Sequence, residues 1–399
     1  MTATMAGAAA RAGTTRTTAT AGAADPGDRT GHPGPGDAPA PDALRAFKAR
    51  VDGELEVFAR RETALLEAID PDLASVGAQL RAAVSHGKRL RAAFCYWGWR
   101  AAGRDDSDDI VRAAAAMELV HAAAVVHDDI IDESAVRHGR PTAHRALARS
   151  GDHRADGSAR ASTGRALALL TGDLLISWSG QLFTECGLPG AYLNRARPLW
   201  ATLARELVAG ECLEVLRTGP GSGGPESADG SLKIVRYKTA KYTVEHPLHI
   251  GALLGGARPA LLETFSAYGV PLGEAFQLRD DLLGVFGSPD TTGKSGLDDI
   301  TGAKPTVLLA LMRQGATDAE RRELGSLLER HPTAGAGRLE RFREIAERTG
   351  ARDRVERLIT ARAETATGAV DAAVRARLLE PPAAEALRAL ARHCLARAF

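Results

Sequence analysis

The chain has 399 residues, of which 44% are hydrophobic and 25% are charged, a balance that is ordinary for a soluble globular protein. Its formal net charge of +1 gives no overall field that would favour nucleic acid or a membrane surface as a partner. Aromatic residues make up only 5%, while alanine and leucine dominate, which favours helices over sheet.

The cysteines and the apolar runs indicate the compartment. The four cysteines are far apart in the chain and form no CxxC pair, so we predict that they are reduced and buried in a cytoplasmic protein: Cys95, Cys186, Cys212 and Cys394. No uninterrupted apolar run reaches the roughly 20 residues that cross a bilayer, so we expect no transmembrane segment. The N-terminus also lacks the apolar core of a secretory signal.

The first 42 residues differ in composition from the rest of the chain. Residues 1–42 consist largely of Ala, Gly, Thr and Pro, and they have too few large apolar side chains to offset their ordering entropy. We therefore predict a disordered tail at 1–42 and one folded domain at 43–399.

From residue 44 onward, apolar residues recur at three- and four-residue spacing, which is typical of amphipathic helices. The predicted helices cover 44–69, 71–86, 87–103, 108–132, 164–188, 193–217, 231–255 and 259–286, with further helices from 306 to the C-terminus. The predicted loops lie at 150–163, 218–230 and 288–305, with breaks near 331–337 and at 381–382. No segment alternates convincingly with period two, so we predict one all-α domain of ten or more helices.

The first chemical motif is HDDIID, at the end of the helix predicted for 108–132. Asp128 and Asp132 are one helical turn apart and share a face with His121, while Asp129 and Glu133 form a second like-charged pair. Such pairs destabilise the negative end of a helix, so this arrangement calls for a cation. Because all the ligands are oxygen atoms, Mg²⁺ is the natural candidate.

The second motif is FQLRDDLLG. On a helix, Gln277, Asp280, Asp281 and Gly284 project to one side and offer two carboxylates, one amide and a gap. Two carboxylate clusters together with scattered cations suit a polyphosphate that is bound through metal ions. The apolar helices around them suit a substrate that also has a hydrophobic tail. The cations are Lys88, Arg89 and Arg91; Arg137, His138 and Arg140; Lys238 and Lys241; Lys294 and Lys304.

Each motif also has an ordinary structural interpretation when it is taken alone. A DDxxD motif is usually a solvated helix end, GKRLR an exposed basic helix start, and His121 a hydrogen-bonded core histidine. Their joint occurrence in one chain favours the functional interpretation, because the chance occurrence of each motif is roughly independent of the others.

With its motifs in this order, the chain resembles the trans-isoprenyl diphosphate synthases of the polyprenyl synthetase family over roughly residues 45–399, most like the bacterial geranylgeranyl diphosphate synthases. The matching motifs are GKRLR (87–91), HDDIID (127–132), RHGRPT (137–142), GDLL (172–175), KTAKYT (238–243), FQLRDDLLG (276–284) and TGKSGLDDITGAKPT (292–306). The resemblance implies an all-α fold around a central substrate cavity, usually as a homodimer. It also implies head-to-tail condensation of isopentenyl diphosphate with an allylic diphosphate, namely dimethylallyl, geranyl or farnesyl diphosphate.

The resemblance further implies roles for individual residues. Two or three Mg²⁺ ions, which Mn²⁺ could replace, would be bound by Asp128, Asp132 and Asp280, with Asp129 and Asp281 in support. The allylic diphosphate would be contacted by Arg137, Lys238, Thr239, Gln277, Lys294 and Lys304. Isopentenyl diphosphate would be bound by Lys88, Arg91, His121 and His138.

Two of the departures from the family pattern affect residues expected to bind substrate or metal. His138 stands where a second arginine normally helps to hold isopentenyl diphosphate, so we expect weaker or pH-dependent binding. Gly284 replaces the last aspartate of the second motif, which leaves fewer carboxylates for metal, and we expect activity to survive.

Product length in this family depends on bulk below the first motif. Ala123 and Ala124 are small where farnesyl-producing enzymes usually carry an aromatic residue, and Met117 and Leu119 could form the floor one turn deeper. We therefore predict geranylgeranyl diphosphate, with a longer polyprenyl or farnesyl diphosphate as the alternative. A class I terpene cyclase and a non-catalytic synthase subunit are the other candidate functions.

Overall fold

Apolar residues at helical spacing form helices almost throughout the computed structural model, which describes residues 40–150, 156–218, 227–287, 300, 304–329 and 336–396. The helices are α1 (Ala40–Ile69), α2 (Ala74–Val84), α3 (Leu90–Ala101), α4 (Asp108–Ile131), α5 (Ala143–Ser150), α6 (Gly157–Thr184), α7 (Gly190–Arg217), α8 (Ala228–Val235), α9 (His246–Gly255), α10 (Pro259–Phe286), α11 (Val307–Gly315), α12 (Asp318–Leu328), α13 (Ala336–Arg348), α14 (Ala351–Arg375) and α15 (Pro381–Leu395). The predicted all-α domain of ten or more helices is confirmed. The tail predicted for 1–42 lies almost entirely outside the described residues.

Helix α4 lies at the centre of the larger hydrophobic core and carries the first acidic motif at its end. Its N-terminus is capped by Ser107, whose side chain accepts a hydrogen bond from Ile110 N. The run Ala113–Ala116 is completely buried, and these small side chains allow α4 to pack closely along α6.

Among the described residues, two helices are long and apolar enough to cross a membrane by length and composition alone. In α4, 72% of the most apolar window is buried inside the protein, as expected for a core helix. In α6 the buried share is only 44%, so this helix leaves an apolar face exposed.

A second, smaller core supports the other acidic motif. Leu278 and Leu282, on the C-terminal half of α10, pack with Leu308 and Leu311 of α11 and with Val355 of α14. All five side chains are buried. The polar face of α10 is therefore turned away from this core and toward the interior cavity described below.

The start of α3 differs from the prediction. This helix begins at Leu90, because Arg89 adopts a left-handed conformation with φ of 57°. The Arg89 side chain is buried and donates hydrogen bonds to Asp52 at 2.7 Å and to the Val84 carbonyl at 2.5 Å. Arg89 is thus a structural residue, and Lys88 lies on the bend before the helix.

Two further expectations were wrong, and one short hairpin was not anticipated. Helix α6 begins at Gly157 rather than 164, because Asp156 caps it by accepting a hydrogen bond from Ala159 N at 2.7 Å. A two-stranded hairpin, β1 (Val136–Arg137) and β2 (Arg140–Pro141), overlaps the start of RHGRPT, and strands of two residues are too short to show alternation. Cys212 is exposed on α7, although all four cysteines are free as predicted.

A π-helix was also missed by the sequence reasoning. It spans Arg236–Glu245 between α8 and α9, where only an unbroken helix was predicted. A π-helix is wider than an α-helix, so its neighbours must leave room. Two glycines provide this room: a Cβ on Gly210 of α7 would lie 2.3 Å from Lys238 N, and one on Gly273 of α10 would lie 2.3 Å from Ala240 Cα.

Candidate active site

The first acidic motif is fixed by the way α4 ends. Glu133 adopts a left-handed conformation with φ of 56°, its N–H donates to the Ile130 carbonyl, and the Ser134 N–H donates to the Asp129 carbonyl. This is the Schellman pattern that closes a helix. Asp128 and Asp129 therefore lie in the last turn, and Asp132 is the C-cap residue.

Each of these three carboxylates is paired with a cation from another part of the chain. Lys238 Nζ lies 3.0 Å from Asp128, Arg137 lies 2.7 Å from Asp129, and Lys304 Nζ lies 2.6 Å from Asp132. Burial opposes ionisation of Asp128, but the charges of Lys238 and Lys304 hold its pKa below the usual value. Asp128, at the negative end of α4, is thus kept ionised.

Lys238 also contacts two carboxylates that the sequence reasoning did not select. Its Nζ lies 2.9 Å from Glu211 and 2.7 Å from Glu214, both on α7. The available sequence signal was the i, i+3 spacing of these glutamates directly after Gly210, a glycine that permits close approach to Lys238. Burial tends to lower the pKa of Lys238, but Glu214, Asp128 and Glu211 together raise it, so the lysine stays charged.

The same carboxylates have the chemistry of a divalent-cation site. One carboxylate oxygen from each of Asp128, Glu211 and Glu214 lies within 4.8 Å of the other two. Hard cations such as Mg²⁺ prefer oxygen ligands of this kind, so this donor set fits Mg²⁺.

The second acidic motif faces the same space. Gln277 connects it to the π-helix, because Thr239 Oγ1 donates to Gln277 Oε1 at 2.8 Å and Gln277 Nε2 donates to Asp281 at 2.7 Å. Asp280 and Gly284 line the cavity beside them. The four positions that the helical spacing placed on one side of α10 therefore do share a face.

Asp128 and Asp129 of the first motif and Gln277, Asp280 and Asp281 of the second line one cavity of about 1250 Å³. Asp132 is not among the residues that line it. The basic residues predicted for the isopentenyl diphosphate site line it too, namely Lys88, Arg91, His121 and His138. Lys238, Thr239, Arg137 and Lys304 line it beside the acidic motifs that they contact. Lys294 lies outside the described residues.

The residues predicted to control product length lie in two different environments, the cavity wall and the hydrophobic core. Ala124 lines the cavity, together with Val125 on α4 and Leu207 on α7. Ala123 is buried and belongs to the hydrophobic core, as do Met117 and Leu119. None of these three is among the residues that line the cavity.

His138 lies at the tip of the hairpin between β1 and β2. His138 and Gly139 both have left-handed backbones, with φ of 51° and 73°. This is the arrangement of a tight type I′ hairpin turn, and histidine is one of the non-glycine residues that tolerate it better than most. The imidazole therefore stands at the exposed rim of the cavity.

Comparison with known proteins places this site in a family context. The sequence profile of the Polyprenyl synthetase family matches residues 75–345. A (2E,6E)-farnesyl diphosphate synthase of Mycobacterium tuberculosis is 32% identical over 302 residues, which cover 75% of this chain and 77% of the relative. A geranylgeranyl diphosphate synthase of the same organism is 30% identical over 295 residues, which cover 74% and 77%.

A solved structure resembles the whole fold. It is a geranylgeranyl pyrophosphate synthase from Corynebacterium glutamicum, complexed with isoprenyl diphosphate and magnesium. Its TM-score is 0.82 at 31% sequence identity, and the match covers 89% of this chain and 99% of that one.

Proposed function

Because the chain belongs to the polyprenyl synthetase family, we propose that it is a trans-prenyl diphosphate synthase that makes geranylgeranyl diphosphate from isopentenyl diphosphate and an allylic diphosphate. The family resemblance inferred from the motifs is confirmed, and prenyltransferase chemistry follows from it. The observation that carries the proposal is Lys238, which joins the first acidic motif to two further carboxylates at the wall of a large cavity.

We propose that the metal is Mg²⁺, bound as two or three ions with Mn²⁺ as a substitute. Asp128 and Asp132 would hold it on the α4 side, and Asp280, supported by Asp281, would hold it on the α10 side. When bound, Mg²⁺ supplies positive charge that neutralises the diphosphate of the allylic substrate. The solved relative from Corynebacterium glutamicum was itself complexed with magnesium.

The side chains of this chain supply the rest of the electrostatics. Lys238, Arg137 and Lys304 place fixed positive charge where the allylic diphosphate leaves, which favours breaking of the allylic C–O bond. Lys88, Arg91 and His121 hold isopentenyl diphosphate so that its double bond faces the allylic carbon. A new C–C bond then forms, and the departing diphosphate takes up the proton that is lost.

The proposal of a geranylgeranyl product is based on the small side chain of Ala124 at the cavity wall. A methyl side chain there leaves space for the growing tail, with Val125 and Leu207 as its neighbours. Overall similarity does not decide the length, because the two mycobacterial relatives are almost equally identical to this chain and make different products.

The decisive experiment is mass analysis of products from the purified chain with isopentenyl diphosphate, Mg²⁺ and each allylic primer in turn. We expect the 20-carbon diphosphate from dimethylallyl, geranyl and farnesyl primers. A product that stops at farnesyl, or one that extends beyond 20 carbons, would reject the geranylgeranyl assignment. Hydrocarbon release without isopentenyl diphosphate would indicate a terpene cyclase, and complete inactivity would indicate a non-catalytic subunit.

Ala124→Phe tests the position of the cavity wall. Phenylalanine at a cavity-lining position should block the tail and shift the product from geranylgeranyl to farnesyl diphosphate, as measured by product mass. Ala124→Ser, which adds only one oxygen atom, is the matched control and should leave the length unchanged. An unaltered product in Ala124→Phe would place the limiting wall elsewhere.

We also propose a homodimer in the cytoplasm. A second copy of the chain could cover the six large apolar side chains that are exposed on α6 and α7, namely Leu169, Leu170, Ile176, Val208, Val215 and Leu216. The four free cysteines agree with a reducing compartment.

Light scattering on the eluted protein tests the dimer. We expect twice the chain mass for the wild type and a loss of the dimer in Ile176→Glu, because a charge would be buried in the interface. Leu378→Glu changes an exposed leucine away from these two helices and should remain dimeric. A monomeric wild type would contradict the proposal.

A further inference from the structure

Tyr242 joins three elements at the basic side of the cavity. It lies on the π-helix, and only 4% of the residue is exposed. Its hydroxyl lies 3.1 Å from Nδ1 of His121 on α4, and the Arg91 guanidinium of α3 lies over its ring, 4.3 Å from the ring centre. One phenol side chain therefore contacts two residues that were assigned to isopentenyl diphosphate.

The direction of the hydrogen bond follows from the chemistry of the neighbours. The Arg91 guanidinium can only donate hydrogen bonds. The Tyr242 hydroxyl therefore donates to Nδ1 of His121, which lies within hydrogen-bonding distance. Burial raises the pKa of Tyr242, so its hydroxyl stays protonated. Burial and the charge of Arg91 hold the pKa of His121 well below its usual value, so the imidazole is neutral. A neutral imidazole that accepts at Nδ1 carries its own proton on Nε2.

Arg91 also contacts the π-helix, and one of its N–H groups is left without a partner among the described residues. Its Nη2 donates to Thr243 Oγ1 at 2.9 Å, next to Tyr242 in the chain. Its Nε is buried and has no hydrogen-bond partner among the described residues. A buried guanidinium nitrogen without a partner costs free energy unless an anion completes the site.

The π-helix therefore serves both sides of the cavity. Lys238 and Thr239 face the acidic motifs, and the following turn places Tyr242 and Thr243 against Arg91 and His121. A short segment with unusual geometry thus fixes the relative position of the two anion-binding sides.

We propose that Tyr242 is a positioning residue for isopentenyl diphosphate, which fixes His121 as the Nε2–H tautomer and holds the Arg91 guanidinium over its ring. Both residues then present N–H donors to the diphosphate of isopentenyl diphosphate. This inference rests on the proposed function, since it names how one substrate of that reaction is held.

Tyr242→Phe removes the hydroxyl and keeps the ring beneath Arg91. We expect the Kd and KM for isopentenyl diphosphate to rise about fivefold to tenfold, the change expected for one lost hydrogen bond. The KM for the allylic diphosphate should not change. Tyr242→Leu, which also removes the ring, should raise the isopentenyl diphosphate values further. Tyr237→Phe is the matched control on the same π-helix, because Tyr237 contacts Lys241, and it should leave both KM values unchanged.

A double variant distinguishes a positioning role of Tyr242 from a general loss of structure. In His121→Ala protein, adding Tyr242→Phe should change the Kd for isopentenyl diphosphate less than twofold, because the hydroxyl acts through His121. An undiminished effect in that background, or an unchanged Kd in Tyr242→Phe alone, would overturn the inference. Calorimetry measures this Kd without turnover, so a wild type that binds isopentenyl diphosphate but forms no product would reject the proposed function and leave this test valid. A wild type that does not bind it would reject both.

Discussion

At the scale of single residues, the two glutamates on α7 are chemically unequal although both contact Lys238. Burial raises the pKa of Glu211 although Lys238 opposes the shift, and one of its oxygens is buried without a hydrogen-bond partner among the described residues. Glu214 lies 2.7 Å from Lys238 and 3.9 Å from Lys304, so it couples two of the cations.

Paired substitutions test this difference. Glu211→Gln should retain more of the activity than Glu214→Gln, because Glu211 forms an ion pair with Lys238 but not with Lys304. Glu214→Gln should lower kcat/KM by about tenfold or more, since both lysines lose an anionic partner. Steady-state kinetics with the two substrates give the comparison. Equal losses in the two variants would contradict the unequal roles of the two glutamates.

His138 offers a second test at one residue. Arginine would bring a permanent charge with several donors to the rim of the cavity, so His138→Arg should lower the KM for isopentenyl diphosphate about threefold to tenfold. His138→Asn is the control, because asparagine tolerates the left-handed backbone but adds no charge. A lower KM in both variants would assign the effect to the turn rather than to charge.

At the scale of elements, the site depends on the close approach of α10 to the π-helix. The nearest atoms to a Cβ at Gly273 are the backbone and Cβ of Ala240, which cannot move aside as a flexible side chain could. The residue before Ala240 is Thr239, which is hydrogen-bonded to Gln277 on α10. A shift of the π-helix would therefore disturb both partners of that hydrogen bond.

Two glycine-to-alanine substitutions should have opposite effects. Gly273→Ala should lower the melting temperature and raise the KM for the allylic diphosphate, because Ala240 and its neighbours must move. Gly368→Ala lies on the exposed face of α14 with no atom within 4 Å of the added methyl, so it should stabilise by up to about 1 kcal/mol. Thermal melts and kinetics measure both. Stabilisation by Gly273→Ala would contradict the close packing.

At the scale of the whole molecule, buried histidines make the folded state sensitive to acid. Burial is the main cause that lowers the pKa of four histidines below the usual value of 6.5: His121, His144, His246 and His249. Below pH 6.5 the unfolded chain therefore binds more protons at these positions than the folded protein does. Stability is then lost as the pH falls through this region.

Urea unfolding at pH 7.5, 6.5 and 5.5 checks this expectation. The free energy of unfolding should decrease toward pH 5.5, with a slope of up to about 1.4 kcal/mol per pH unit for each proton taken up. His246→Gln removes one of the four groups and should make the slope shallower. A free energy that does not change over this range would show that these histidines are protonated in the folded protein.

The sequence determined the helical class, most helix positions, the two acidic motifs and the family, because all of these depend on spacing within one helix or on motif order. The shared face of Gln277, Asp280, Asp281 and Gly284 could be read from helical periodicity alone. The missed features have a common cause. Glu211, Glu214 and the π-helix carry little local signal, and their roles depend on segments that are distant in the chain.

Only the tertiary structure decided which groups meet. Lys238 and Asp128 are 110 residues apart, Tyr242 and His121 are 121 apart, and Lys304 and Asp132 are 172 apart. No local pattern encodes these pairings, because they arise from the packing of whole helices. The same packing put Ala124 on the cavity wall and Ala123 in the core, since adjacent residues of a helix point in different directions.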